Sequence, residues 1–266
     1  MYDAAFGLAA TLYAVSGVML LLQLARGPTI AVTRLGPWVL LAAAAVHLGL
    51  DVRYWLTPGG GPFAGIRPSL STLALLGAGG YFALRQARPR FDVVGAFVAP
   101  LALFMLLASR HSNDTTAAPL GALTVLHVAS VIIGTGAFTV AFAVALAYLL
   151  QERQVKQKRL RGLFQRLPPL DVLDEVGFRF VAVGLPVLTL GVVTGLMVIA
   201  RTAARAASFE TWQRTVGLAV WVLFAGVLGL RIVAGWRGRR PAIGTVLGYA
   251  GVIAVLVGYY LRGLHA

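Results

Sequence analysis

Long apolar stretches separated by short polar connections run along the chain and give the first structural prediction. A helix crosses the hydrocarbon core of a bilayer with roughly 20 apolar residues, so each stretch counts as one candidate span. Barrel strands would alternate apolar and polar residues, which these continuous runs do not. The pattern predicts an all-α integral membrane protein, a bundle of about eight transmembrane helices. The candidate spans are about residues 4–24, 37–56, 70–86, 92–109, 121–150, 180–200, 215–235 and 242–261.

The composition agrees with a membrane bundle. Hydrophobic residues make up 59% of the 266 residues and charged residues only 12%, too few to cover a water-soluble globule of this size. We therefore predict a single membrane domain over residues 1–266, with the lipid bilayer as its main solvent.

Basic residues are distributed unevenly between the two sides of the predicted bundle. When alternate connections are assigned to opposite sides, one side carries 16 of the 23 lysines and arginines and the other carries 7. The richer side is predicted to be cytoplasmic. Both termini then lie outside (N-out/C-out), and the chain is expected as a multi-pass protein of the cell inner (plasma) membrane. The first apolar run lacks a basic leader, so it is predicted to be a span rather than a signal peptide.

Charge and cysteine content exclude several kinds of function. The net charge of +14 lies in short connections at membrane ends, so lipid headgroups are expected partners and nucleic acid is not. The absence of cysteine excludes disulfides, thiolate metal ligands and thiol nucleophiles within the chain. The sequence shows no spacing of nucleophile and base, so we assign no catalytic residue and predict that the protein is not an enzyme.

The longest hydrophilic segment, residues 151–178, opens with basic residues and then becomes amphipathic. We expect a helix that continues the fifth span, a break at Pro168 and Pro169, and a short interfacial segment that re-enters the membrane. Two pairs of glycines four residues apart are interpreted as sites of close helix packing without a functional role. The pairs are Gly191 with Gly195 and Gly244 with Gly248.

Histidine is the residue type best able to carry chemistry here. There are four, at positions 47, 111, 127 and 265, and all but His47 fall at or beyond the predicted outer surface. His47 lies mid-span, where a titratable group is costly and usually faces the bundle interior, so it is a functional candidate. Asp51, one helical turn further on, is placed to orient its imidazole. The alternative is a histidine satisfied by a neighbouring helix, with Asp51 at the water boundary.

Imidazoles without cysteines or carboxylate clusters suit haem iron better than zinc or hard cations. A hydrophobic bundle mouth also suits the porphyrin ring, and its propionates would meet outer arginines. These arginines are Arg201, Arg205 and Arg214. Haem is therefore a candidate cofactor, bound non-covalently as a b-type group.

Several segments resemble the CcsA/CcmC-type cytochrome c assembly family, including its YpjD and HemX-like relatives. The resemblance covers about residues 40–266. The segments that carry it are residues 126–128 with the long small-residue helix that ends at 148–153, residues 173–180 leading into 184–191 and 193–195, and residues 221–225, 235–240, 248 and 263–265.

The resemblance implies a set of haem-binding residues. In that family two external histidines ligate haem at the outer surface beside a tryptophan-rich loop, and two membrane histidines hold haem lower in the bundle. The external pair corresponds to His127 and His265, which are thus the predicted iron ligands, and the first membrane histidine corresponds to His47. The second membrane histidine falls on Gly229, so a bis-histidine site within the membrane is missing.

The tryptophan-rich loop is also reduced, to residues 208–213. Within it Glu210 and Trp212 are candidates to line the haem edge, and an ordinary interfacial loop is the alternative. Together with Gly229, this departure moves the chain towards the YpjD/HemX-like branch.

The leading hypothesis is a haem-binding membrane protein that handles or presents haem at the outer membrane face for cytochrome c biogenesis. The alternative is a HemX-like regulatory or scaffold protein, whose basic segment, residues 153–166, recruits a partner from haem biosynthesis or cytochrome assembly. A secondary transporter would show inverted repeats and paired intramembrane charges, and the sequence displays neither.

Overall fold

The computed structural model describes residues 2–26, 34–111, 121–158, 162–202 and 208–265, and the regular structure of these residues is helical throughout. The helices are α1 (Tyr2–Arg26), α2 (Gly36–Trp55), α3 (Ile66–Ala87), α4 (Gly95–His111), α5 (Ala122–Lys156), α6 (Leu163–Arg166), α7 (Leu170–Thr202), α8 (Ser208–Val233) and α9 (Arg239–His265), with a 3₁₀ helix at Pro89–Val94 between α3 and α4.

Within this described part, six helical segments are long and apolar enough to cross a membrane, namely α1, α4 together with the 3₁₀ helix before it, α5, α7, α8 and α9. The prediction of an all-α, multi-pass membrane protein is thereby confirmed. Helices α2 and α3 fall short by hydropathy because they carry His47, Asp51 and Arg53 in one case, and Arg67 with three hydroxyl residues in the other.

Helix ends follow from local sequence. Helix α2 begins beside Pro37, which needs no backbone hydrogen-bond acceptor in a first turn. Helix α5 continues past the predicted span to Lys156, as expected. Pro168 and Pro169 separate α6 from α7, which confirms the predicted break, since neither residue can donate a backbone hydrogen bond to a continuing helix.

The helices form two groups joined by α5. Helices α1 to α4 pack on one another, α5 packs most extensively on α7, and α9 packs on both α5 and α8. Large side chains such as Phe138 of α5 and Phe224 of α8 are fully buried and stack with ring centroids 3.9 Å apart. A Cβ added at Gly244 or Gly248 of α9 would meet side chains of α8, which confirms the packing role predicted for this pair.

Ion pairs join the helices at one end of the second group. Glu152 near the end of α5 pairs with Lys156 at 2.7 Å and with Arg239 at the start of α9 at 3.7 Å. Asp174 of α7 accepts hydrogen bonds from Arg231 of α8 at 2.8 Å and from the backbone N–H of Gly238 at 2.9 Å. Helices α5 and α9 therefore run antiparallel, and this is the arginine-rich end of the bundle.

Candidate functional site

His127 lies at the opposite end of the bundle, as the sixth residue of α5, and its half-buried ring contacts α7. Its Nδ1 is 2.7 Å from the carbonyl oxygen of Gly191. A carbonyl can only accept, so Nδ1 carries the hydrogen and Nε2 carries the lone pair. Among the described residues no side chain or backbone group hydrogen-bonds to Nε2. The ring is thus oriented by a backbone acceptor with its second nitrogen available, as a metal-binding imidazole requires.

Gly195 makes room for this ring. A Cβ added there would lie 2.7 Å from Cε1 and 2.8 Å from Nδ1 of His127, so the imidazole occupies the space of the missing side chain. The interpretation of Gly191 and Gly195 as packing residues alone was therefore incomplete. One signal in the sequence could have indicated this role. If α5 and α7 pack antiparallel, His127 and these two glycines lie at the same height along the helix axes.

The register between α5 and α9 brings His265 to the same end of the bundle as His127. Thr139 of α5 and Tyr249 of α9 are joined through their hydroxyls at 2.7 Å. His127 lies 12 residues before Thr139, and the residue 12 positions after Tyr249 is Leu261. His265 follows one helical turn later, roughly 6 Å further along the axis. The backbones of the two predicted ligands therefore share one end of the bundle.

Trp212 also lies at this end. It is 46% exposed, and a Cβ added at Gly258 of α9 would lie 2.7 Å from its ring. Glu210 and His265 belong to α8 and α9, but their side chains lie outside the described residues. The structure thus brings His127, Trp212 and the backbone of His265 to one end.

His47 lies elsewhere, fully buried between α1, α2 and α3. Its Nε2 is 2.7 Å from Ser71 Oγ, and its Nδ1 is 3.3 Å from the hydroxyl of Tyr13. Ser71 donates its only hydrogen to Asp51 Oδ1 at 2.7 Å, so it must accept from His47 Nε2–H. Donation therefore runs from Tyr13 through His47 and Ser71 to Asp51.

This network engages both nitrogens of His47, so in this arrangement neither presents a free lone pair to iron. Asp51 is buried; its Oδ1 accepts from Ser71 at 2.7 Å, and its Oδ2 lies 3.7 Å from His47 Nε2. Gly229, where the resemblance predicts that the second membrane histidine is missing, lies on α8, which packs on α7 and α9. A haem contact at His47 stays a prediction, and the geometry observed is that of a structural network.

Ser71→Ala should therefore destabilise the protein by about 2 kcal/mol, because it leaves His47 and Asp51 buried with unmet hydrogen bonds. The matched control is Ser69→Ala on the same helix, since the buried hydroxyl of Ser69 has no hydrogen-bond partner within the described chain. The free energy of unfolding of both variants is measured by denaturant titration in mixed micelles. Equal losses in the two variants would contradict the network.

Comparison with known proteins gives the family. Residues 67–265 match the cytochrome C assembly protein family. The chain is 35% identical over 122 residues to a protein of Crocosphaera subtropica named cytochrome c biogenesis protein CcsA, covering 44% of this chain and 36% of that protein. Proteins of the same name from Gloeothece citriformis and Synechococcus elongatus are each 38% identical over 106 residues, covering 38% of this chain and 31% and 32% of theirs.

These matches cover about a third of the length of each curated relative. No solved structure matches the chain. The family match extends over most of the chain, from the start of α3 to the end of α9, and includes His127, Trp212 and His265. This chain belongs to the cytochrome c assembly protein family.

Proposed function

We propose that this protein binds haem at the outer membrane face for cytochrome c biogenesis, with His127 and His265 as the axial ligands. The observation that carries the proposal is the hydrogen bonding of His127. Its Nδ1–H donates to the Gly191 carbonyl, and its Nε2 has no hydrogen-bond partner in the described chain. A hydrogen bond to a backbone carbonyl sets the tautomer and raises the basicity of a ligating imidazole.

The residues at this end fit a b-type haem held without a covalent bond. His127 and His265 would hold the haem through their imidazoles, a ligand type that haem iron accepts. Trp212 presents an exposed aromatic surface, and Arg201 is exposed in the last turn of α7, where a propionate would find a cation. When bound, haem would supply the group that a cytochrome c receives, while this chain would hold and orient it without breaking or making a covalent bond.

The proposal includes a topology of eight spans with both termini outside. Helices α2 and α3 would be the second and third spans, because the buried network formed by His47, Ser71 and Asp51 satisfies polar groups that lipid could not. The positive-inside rule puts the Glu152–Arg239 end in the cytoplasm of the inner membrane, so the end with His127 faces outwards. The single domain over residues 1–266 belongs to the same proposal.

The partners proposed are other cytochrome c assembly proteins in the membrane. The alternative, a HemX-like regulatory or scaffold protein in the YpjD/HemX branch, rests on Gly229 and the reduced tryptophan loop. That function needs no outer haem site, so haem binding discriminates between the two.

The first experiment is an absorption spectrum of the detergent-solubilised wild-type protein, purified from haem-sufficient cells and again after titration with haemin. We expect a Soret band with the narrow visible bands of low-spin iron carrying two imidazoles. A wild-type protein that binds no haem under either condition would refute the proposal and favour the scaffold function.

A further inference from the structure

A cavity of about 180 Å³ opens in the first helix group, near the end of α1. It lies between the last turns of α1, the 3₁₀ helix and α6. Its lining residues are Leu20, Gln23, Leu24, Arg90, Asp92, Val93 and Arg166. No part of the proposed haem function uses this cavity.

The charges around the cavity are unbalanced in favour of an anion. Arg166 donates from one terminal nitrogen to the carbonyls of Gln23 and Leu24, at 3.4 and 2.9 Å, and so caps the end of α1. Within the described residues, this is the one nitrogen of Arg166 that donates a hydrogen bond. Arg90 is exposed and forms no ion pair within the described chain, while the one acid in the lining, Asp92, already pairs with Arg85 at 2.5 Å. Arg90 and Arg166 therefore both line the cavity, and neither forms an ion pair within the described residues.

The other residues that line the cavity combine apolar surface with a polar acceptor, as a site for an amphiphile would. Leu20, Leu24 and Val93 supply buried apolar surface. Gln23 contributes a buried side-chain oxygen, Oε1, that has no hydrogen-bond partner within the described chain. An unmet acceptor of this kind favours a ligand that carries a hydroxyl. On the adjoining surface of α1, Leu21 and Leu22 are exposed, as side chains that face lipid are.

From these contacts we propose that the cavity binds an anionic phospholipid with a hydroxylated headgroup, of the phosphatidylglycerol type. Arg90 and Arg166 hold the phosphate, Gln23 Oε1 accepts from the headgroup hydroxyl, and the acyl chains lie along Leu21 and Leu22. Basic pockets between helix ends at the cytoplasmic surface recognise such headgroups. A free phosphate offers the same charge to the arginines, but it would leave Gln23 and the apolar wall without a partner.

Arg90→Gln tests the site with little risk to folding, because Arg90 is exposed and makes no ion pair within the described chain. The matched control is Arg88→Gln, which removes the same charge from the same connection but does not line the cavity. Binding of phosphatidylglycerol to the purified full chain is measured by native mass spectrometry, with phosphatidylcholine as the zwitterionic comparison.

We expect one tightly held phosphatidylglycerol, bound about fivefold more weakly by Arg90→Gln and nearly unchanged by Arg88→Gln. Equal weakening in both variants would mean diffuse attraction to the basic surface and would overturn the proposal. Equal binding of phosphatidylcholine would do the same. Inorganic phosphate is the third arm, since its displacement of the lipid at low millimolar concentration would identify a phosphate site instead.

Discussion

Alanine at His127 is expected to abolish bound haem, whereas alanine at Gly195 is expected to leave the protein folded and weaken haem binding tenfold or more. His127→Ala would remove one of the two imidazoles proposed to hold the haem. Gly195→Ala acts on the ligand's position, because its Cβ would lie within 2.8 Å of two ring atoms of His127. The ring is the movable end of a side chain, so it shifts and loses its alignment with the Gly191 carbonyl. Changes to groups that orient a metal ligand cost about 10–100-fold in affinity.

The readouts are the haemin dissociation constant and the spectrum of the bound haem. A displaced His127 should move iron from the low-spin towards the high-spin form, which a purely structural defect would not do selectively. Gly217→Ala is the matched control, since a Cβ at this helical glycine meets nothing within 4 Å. If Gly195→Ala keeps the wild-type haemin affinity and haem spectrum, then the space at Gly195 does not orient His127 as a haem ligand.

Gly191→Ala separates positioning from packing. Its Cβ would meet Val131 Cγ2 at 2.9 Å and the backbone nitrogen of Val131 at 3.1 Å. A backbone atom cannot move aside as a ring can, so this variant is expected to lower stability as well as haem affinity. The two glycines of one motif thus have different roles, which the spacing alone did not reveal.

The sequence predicts those features of the fold that are determined within one segment of the chain. Continuous apolar runs predicted the helices, and Pro168 with Pro169 predicted the break before α7. The hydropathy of α2 and α3 is lower because these helices carry side chains that bond to one another, a pairing that no single-helix pattern contains. Tyr13 and Ser71 are 34 and 24 residues from His47 in sequence, so their contacts depend on how three helices pack.

At the candidate site, too, the contacts between helices could not be predicted from the sequence. His127, His265 and Trp212 are predicted from residue type, position and family resemblance. The sequence around these residues does not indicate that the His127 ring packs against Gly195. That contact needs the register of α5 against α7. The sequence predicts contact between Asp51 and His47 from their spacing, but it does not indicate Ser71, which lies on another helix and hydrogen-bonds to both.

Asp174→Ala is expected to cost about 2 kcal/mol of unfolding free energy, because a nearly buried arginine loses its charge-assisted hydrogen bond and keeps only the more distant Glu175, at 3.8 Å, as a counter-charge. The side chains of Arg231 and Asp174 are 11% and 13% exposed. The same carboxylate oxygen also accepts the N–H of Gly238, in the turn between α8 and α9. One aspartate therefore joins α7 to α8 and to the following turn, and alanine removes both of its hydrogen bonds.

Two further variants test this assignment by denaturant titration in mixed micelles. Asp174→Asn keeps an oxygen for the Gly238 N–H but loses the charge, so its cost should fall between wild type and alanine. Asp171→Ala is the control on the same helix, where an exposed acid in the first turn contributes roughly 0.3–1 kcal/mol through the helix dipole. Equal losses at both positions would contradict the joining role. Because Asp174 lies at the opposite end from His127, the folded fraction of each variant should keep the wild-type haem spectrum, which separates a stabilising contact from a ligand-positioning one.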